Sequence, residues 1–192
     1  MSDEDSTAPL RARAILLIAC RRWLESRNAL EPILQKLPPA ERALLAEPPL
    51  RTRWLGCEVF EEIYQTIAGV HGVEAVREMG HEATRDSLAG TILKPFIEVL
   101  VKLNMSPAGM FSRLNLSIRA SMRGVTTDYR VTDEKSGIVI ARYAKPLPPM
   151  VQQCSLGALR YVYELCRVDG TVNLLSLEDD RRLARIAVAW TK

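Results

Sequence analysis

The last third of the chain constrains the fold most: after a long run of helical patterning it reads strand, strand, helix, strand, strand. Thr126–Val131 and Gly137–Tyr143 flank a polar turn of Asp133, Glu134, Lys135 and Ser136. Thr171–Leu177 and Arg182–Trp190 flank a second turn at Glu178, Asp179 and Asp180. Both pairs alternate as half-buried antiparallel strands do. Between them, Pro149–Arg167 carries Val151, Cys154, Ala158, Tyr161 or Val162, and Leu165 at steps of three and four, a stripe expected to cover one face of the sheet. This order excludes a plain helical bundle and a doubly wound parallel sheet. It predicts an α+β fold, an N-terminal helical layer packed on a four-stranded antiparallel sheet made of two hairpins with an intervening helix. In the last strand Ala184, Ile186, Val188 and Trp190 share a face. A slip of one residue would bury Arg185, so the register is well specified.

The preceding residues punctuate into helices. Residues 1–8 read as a disordered tail and 9–50 as an N-terminal helical pair. Within that pair, Arg11–Arg27 places Ile15, Leu16, Ile18, Ala19, Trp23 and Leu24 at helical spacing, and Asn28–Leu37 forms a second, shorter helix. Proline pairs at 38–39 and 48–49 make Leu37–Leu50 the expected hinge, with one short turn of helix at Pro39–Leu45. Residues 51–192 then form the main α+β ligand-binding or interaction domain. Its helices are predicted at Cys57–Ala68, Val73–Leu88 and Thr91–Leu103, the last bent near Pro95. A single helix is predicted to start at Ser106-Pro107, with serine as N-cap and proline at N1, and to stop at Gly124.

Composition limits the function classes. A chain of 192 residues with 47% hydrophobic and 26% charged residues buries a substantial core. A net charge of +3 and no helix-turn-helix pattern argue against nucleic acid. The start Met-Ser-Asp-Glu-Asp-Ser-Thr is acidic where a secretory leader would be basic. The apolar run Ala14–Cys20 is far shorter than the roughly 20 residues that span a bilayer. Cys20, Cys57, Cys154 and Cys166 have neither metal-site nor redox spacing, so free thiols in a reducing cytoplasm are expected.

No residue cluster declares a reaction. Ser155 follows Cys154, but nothing resembles a nucleophile elbow or a glycine-rich phosphate loop, and the histidines His71 and His81 have no ligand-spaced partner for a metal. No catalytic residue, metal or cofactor is therefore assigned. The apolar stripes suggest a small pocket lined by Phe60, Ile63, Tyr64, Ile92, Phe96, Leu100 and Phe111. From Val99 to Thr127 there is no acidic residue, while Lys102, Arg113, Arg119 and Arg123 are cationic. Arg113 and Arg119 are the candidate anchors for an anionic group at the pocket mouth.

The order helices, hairpin, helix, hairpin resembles the superfold shared by 4-vinyl-reductase-type domains, haem nitric-oxide-binding domains and the small subunits of the TRAPP trafficking complex. The chain further resembles a paralogous myxobacterial family of proteins of about the same length. That resemblance rests on Leu37-Pro38-Pro39-Ala40-Glu41-Arg42-Ala43-Leu44-Leu45, on Trp54, on the helix with Gly80, Ala83 and Leu88, and on Val188-Ala189-Trp190. It implies a non-catalytic sensory or protein-interaction module that binds a small apolar or anionic ligand. It also implies a homodimer, in contact through the Trp23 helix or the Phe96–Leu103 face. A pocketless scaffold in a signalling or motility assembly, with a protein partner, is the second expectation; a haem sensor or small-molecule enzyme is the third. A haem domain of this kind needs an axial imidazole and a tyrosine-x-serine-x-arginine clamp for the propionates. His81 lies in a predicted helix, but Tyr129-Arg130-Val131-Thr132 does not match the clamp. Some relatives carry cysteines near the last hairpin; Leu177–Arg182 has none.

Overall fold

The computed structural model describes residues 9–89 and 105–191. Among the described residues the strands are β1 (Arg11–Arg13), β2 (Trp54–Gly56), β3 (Met122–Arg123), β4 (Val125–Asp133), β5 (Ser136–Tyr143), β6 (Gly170–Glu178) and β7 (Leu183–Trp190). The helices are α1 (Ala14–Ser26), α2 (Leu30–Lys36), α3 (Pro39–Ala46), α4 (Cys57–His71), α5 (Val73–Ala89), α6 (Pro107–Phe111), α7 (Leu114–Ser121) and α8 (Pro149–Cys166). The chain is α+β, and its two C-terminal hairpins with the helix between them form one four-stranded sheet, as the sequence predicts. It divides into two compact units. A helical unit takes Arg11–Ser87 and Pro148–Ala158; a sheet unit takes, among described residues, 9–10, 88–89, 105–147 and 159–191. The predicted tail at 1–8 and the predicted helix Thr91–Leu103 lie outside the described residues.

In the sheet unit the strand order is β4-β5-β7-β6, antiparallel throughout. Val139 faces Ile186 across the central pair, and Val172 faces Val188 on the outer one. Ala184, Ile186 and Val188 are all at most 3% exposed, so the alternation read from the last strand holds. In the second hairpin Asp179, Asp180 and Arg181 have φ of 49°, 48° and 65°, and aspartate is among the residues that tolerate this left-handed region best. Arg181 is tied down in turn: its Nε donates to the carbonyl of Leu147 at 2.8 Å.

Three local expectations are corrected. Arg11–Arg13 is a strand, not the first turn of a helix, and pairs with Trp54–Gly56. Helix α1 then starts at Ala14, whose N–H donates to the Arg53 carbonyl at 2.8 Å, so loop carbonyls satisfy the first turn in place of a side-chain cap. Its buried residues are Ala14, Leu17, Ala19, Cys20, Trp23 and Leu24, while Ile15, Leu16 and Ile18 are half-buried.

The helix predicted from Ser106 to Gly124 is two helices. Ser106 caps α6 as expected, accepting from the Gly109 N–H at 3.3 Å. The break follows from the Gly109 carbonyl, which accepts from the Ser112 hydroxyl at 2.8 Å and the Arg113 guanidinium at 3.0 Å. The Arg113 N–H pairs with Met110 instead, and the α-helical ladder stops there.

The third correction concerns α8. The buried residues along it are Val151, Gln152, Leu156, Gly157, Leu159, Val162 and Tyr163; of the predicted stripe Val151 and Val162 are buried, while Cys154, Ala158 and Leu165 are only half-buried by surface area. At 100° per residue these buried side chains fall within one arc, so α8 keeps a single buried face along its length, offset from the predicted one.

The helical unit has a dense core in which Leu17, Leu24, Ile33, Leu37, Leu45, Ile63, Ile67 and Met79 are essentially unexposed. Helices α5 and α8 touch backbone to backbone there. A Cβ on Gly80 would sit 2.1 Å from the Cys154 carbonyl oxygen, and one on Gly157 would sit 1.9 Å from that of Arg77. Glycine at both positions is what permits the approach.

Candidate functional site

The residues expected to line one pocket fall into both units. Phe60 and Tyr64 lie one turn apart on α4, with ring centroids 6.0 Å apart and planes tilted by 59°. Both are at most 3% exposed, and Ile63 between them is fully buried. Burial, then the neighbouring Cys154 and Cys20 thiols, hold the Tyr64 phenol well above its usual range; its hydroxyl donates to the Cys154 sulfur. Burial also pushes Cys154 up to about 12, against the lowering effect of that hydrogen bond. Thiols held neutral in this way are poor nucleophiles.

Phe111, Arg113 and Arg119 are in the sheet unit. Phe111 stacks on Tyr129 at 5.7 Å and meets Tyr163 edge-on at 5.8 Å, with Trp190 6.4 Å away. Arg113 is exposed and engaged with Gly109, and Arg119 is exposed with a protein partner. Ile92, Phe96 and Leu100 lie outside the described residues. The structure therefore brings Phe60 and Tyr64 together, and separately groups Phe111 with aromatic residues that the sequence analysis did not connect to it.

That second group is built on two strand glycines. A Cβ on Gly137 would fall 2.4 Å from the Tyr129 ring, and one on Gly170 would fall 2.5 Å from the Tyr163 ring. An aromatic side chain lying over a strand glycine recovers the apolar burial that glycine lacks. The Tyr163 hydroxyl donates to the Thr171 carbonyl at 2.7 Å, whereas the Tyr129 hydroxyl is buried without a partner among the described residues.

The helical unit also carries a cleft of about 330 Å³, lined by Trp23, Arg27, Ala29, His71, Ala75 and Glu78. Two helix ends create it. Asn28, at φ 53°, turns the chain after α1, and Gly72, at φ 85°, turns it between α4 and α5. Trp23 is 5% exposed, and its indole N–H is buried with no acceptor among the described residues. Arg27 lies over the Trp23 ring, 4.3 Å from its centroid. Its guanidinium also pairs with Glu82 at 2.8 Å and 3.4 Å. His71 ends α4 and is exposed. The sequence spacing placed Trp23 on an apolar face but held no signal that Arg27, His71 and Glu78 would meet around it, because they come from three helical segments.

No known family profile and no curated protein matches the chain. Solved structures do. The chain is similar to an H-NOX protein from K. algicida in the unliganded Fe(II) form, with a TM-score of 0.71 and 9% identity over 94% of this chain and 97% of that one. An H-NOX protein from S. oneidensis in the Fe(II)NO state gives 0.65 and 8%, covering 94% and 99%. An oxygen-binding H-NOX domain related to soluble guanylate cyclases gives 0.60 and 9%, covering 94% and 95%. At such identities the likeness establishes the fold.

The residues present do not fit a haem. The chain has two histidines and none after His81. His71 is exposed at a helix end, and His81, half-buried on α5, already has a protein partner. At the spacing of the propionate clamp the chain has Tyr129, Val131 and Asp133. Val131 is 65% exposed and offers no hydrogen bond. The Asp133 carboxylate accepts from the Glu134 N–H at 2.7 Å, and the stretch holds neither the serine nor the arginine of a tyrosine-x-serine-x-arginine clamp.

Proposed function

We propose that this protein is a non-catalytic sensory module that retains the H-NOX fold and binds its ligand without haem. One observation carries the reading: the fold extends over 94% of the chain, yet the chain has no histidine beyond position 81 and no tyrosine-x-serine-x-arginine motif. The same framework is thereby left for a different small molecule. Four free cysteines suit the reducing cytoplasm in which we take it to act.

The test is haemin titration of the purified protein, followed by native mass spectrometry of protein freshly isolated from its source. The expected result is no sharp Soret band at one equivalent and a co-purifying small molecule that is not a porphyrin. A stoichiometric Soret band that is lost in His81→Ala would overturn the proposal.

A further inference from the structure

We infer that the outer edge of β6 is an interaction surface on which a second copy of this chain lays its own β6, antiparallel, so that two four-stranded sheets join across a two-fold axis at Asn173. The inference concerns a contact between copies and stands apart from the haem-independent reading above.

The first support is where the backbone groups go at the two edges of the sheet. Strands β4 and β6 are its outer members. In an antiparallel pair, residues alternate between exchanging hydrogen bonds with the neighbouring strand and directing N–H and C=O away from it. Beside β4 the Ala144 N–H donates to the Gly124 carbonyl at 2.9 Å, which sets Val125, Thr127 and Tyr129 facing outward. Side chains already claim donors there: the Asn115 amide oxygen accepts from the Thr127 N–H at 3.3 Å, and the Asp128 carboxylate accepts from the Tyr129 N–H at 2.9 Å. Beside β6 the Thr191 N–H donates to the Asp169 carbonyl at 2.8 Å, which sets Gly170, Val172 and Leu174 facing outward. Among the described residues nothing accepts from the N–H groups of Val172 and Leu174. Strand N–H and C=O groups left in this state are a template for another strand.

The second support is what the edge carries. Folded proteins blunt an open edge with charge, above all lysine, or with proline. Strand β4 presents exposed Asp128 and Arg130, whereas residues 170–177 hold no charged residue and no proline. Thr171 and Asn173 are exposed along β6, and Leu175 is 56% exposed. The register with β7 shifts between Leu174 and Ser176, so the regular part of the edge is 170–174.

That stretch fits a copy of itself. Laid antiparallel on its twin, it opposes no like charges. With Asn173 facing its counterpart, Val172 of each copy lies opposite Leu174 of the other, and these outward-facing residues exchange N–H and C=O bonds. The axis also sets the Asn173 amides side by side, each holding donors and an acceptor. Because the contact is isologous and the β4 edge is already claimed, the assembly closes at two copies. Trp23, expected from the sequence at a dimer contact, is 5% exposed in the single chain.

The experiment is sedimentation velocity of the full chain over a concentration series, paired with amide hydrogen exchange. The expected result is a monomer–dimer equilibrium in which the Val172 and Leu174 amides exchange more slowly as dimer forms. The Thr127 amide, bonded within the chain, should not respond. Asn173→Lys sets two ammonium groups against each other on the axis and should weaken association about tenfold or more, as should Asn173→Asp with its carboxylates. Mixing the two variants brings opposite charges together and should restore a dimer, a recovery that misfolding of either would not give. A chain that stays monomeric up to millimolar concentration would overturn the assignment. So would a dimer that Asn173→Lys leaves intact, or protection of those amides only by an added peptide of unrelated sequence.

Discussion

The carboxylate of Glu61 accepts from the backbone N–H groups of Met150 and Val151, at 2.8 Å and 3.0 Å, and so caps α8 from a position 89 residues earlier in the chain. Glu61 is 9% exposed, and a second carboxylate contact, from the Gln65 amide at 2.8 Å, completes its partners. The first turn of a helix offers N–H groups and a positive dipole end, which is what a buried carboxylate requires. The segment Pro148–Ala158 is joined to the helical unit in this way.

Replacing Glu61 by alanine leaves those N–H groups buried and unpaired. The expected loss is about 2–3 kcal/mol, within the range for charged hydrogen bonds and helix caps. Glu61→Gln keeps one acceptor and should lose about half as much. Chemical denaturation of the two variants measures both values.

Alanine at Gly80 or Gly157 should destabilise by roughly 1–3 kcal/mol through overpacking, because each added methyl meets a backbone carbonyl. This sign opposes the intrinsic helix preference, which favours alanine over glycine by about 1 kcal/mol. Gly69 on α4 is the control: a Cβ there meets nothing within 4 Å, so Gly69→Ala should stabilise. Thermal melts of the three variants would separate the cases. Equal effects at all three positions would contradict the close crossing of α5 and α8.

Stability should fall in alkali. Burial, then the Glu58 carboxylate, pushes Cys57 up from an ordinary 9.0 to about 12. Cys154 rises likewise to about 12, and burial raises Cys20 further. Between pH 9 and 12 the unfolded thiols lose protons that the folded ones keep, so the stabilisation is complete below 9 and is lost as pH rises through that window. Each thiol contributes a slope of up to about 1.4 kcal/mol per pH unit. Urea midpoints measured from pH 8 to 11 should decline, and Cys20→Ala should flatten the decline.

Phe111→Ala should cost about 3–5 kcal/mol, as for other large aromatic deletions in cores. Its ring meets Tyr129, Tyr163 and Trp190 within 6.4 Å, so the loss should also shift near-ultraviolet circular dichroism. An unchanged near-ultraviolet spectrum would show that the cluster is not packed as described.

Much of this fold is legible locally. The period of two in 183–190 and the turn residues at Asp179 and Asp180 depend on neighbours a few positions away, and the strand appears within a residue of its expected limits. The misread places are those where a distant group intervenes. Arg11–Arg13 has helical patterning but finds an edge at Trp54–Gly56; the helix through Gly109 is cut by side chains claiming its carbonyl. Of the residues expected at the candidate site, Phe60 and Phe111 share apolar character but belong to different units, and Ile92, Phe96 and Leu100 lie outside the described residues.

The residue order by itself determined the succession of helices and hairpins and the faces of the strands, because backbone preference, side-chain period and residue identity are properties of the chain before it folds. Tertiary structure alone decided that Glu61 caps α8, that Gly80 and Gly157 let two helices touch, and that Trp23, Arg27 and Glu78 surround one cleft. Those contacts join segments tens of residues apart, and what selects them is the packing of the whole core, which no local pattern records.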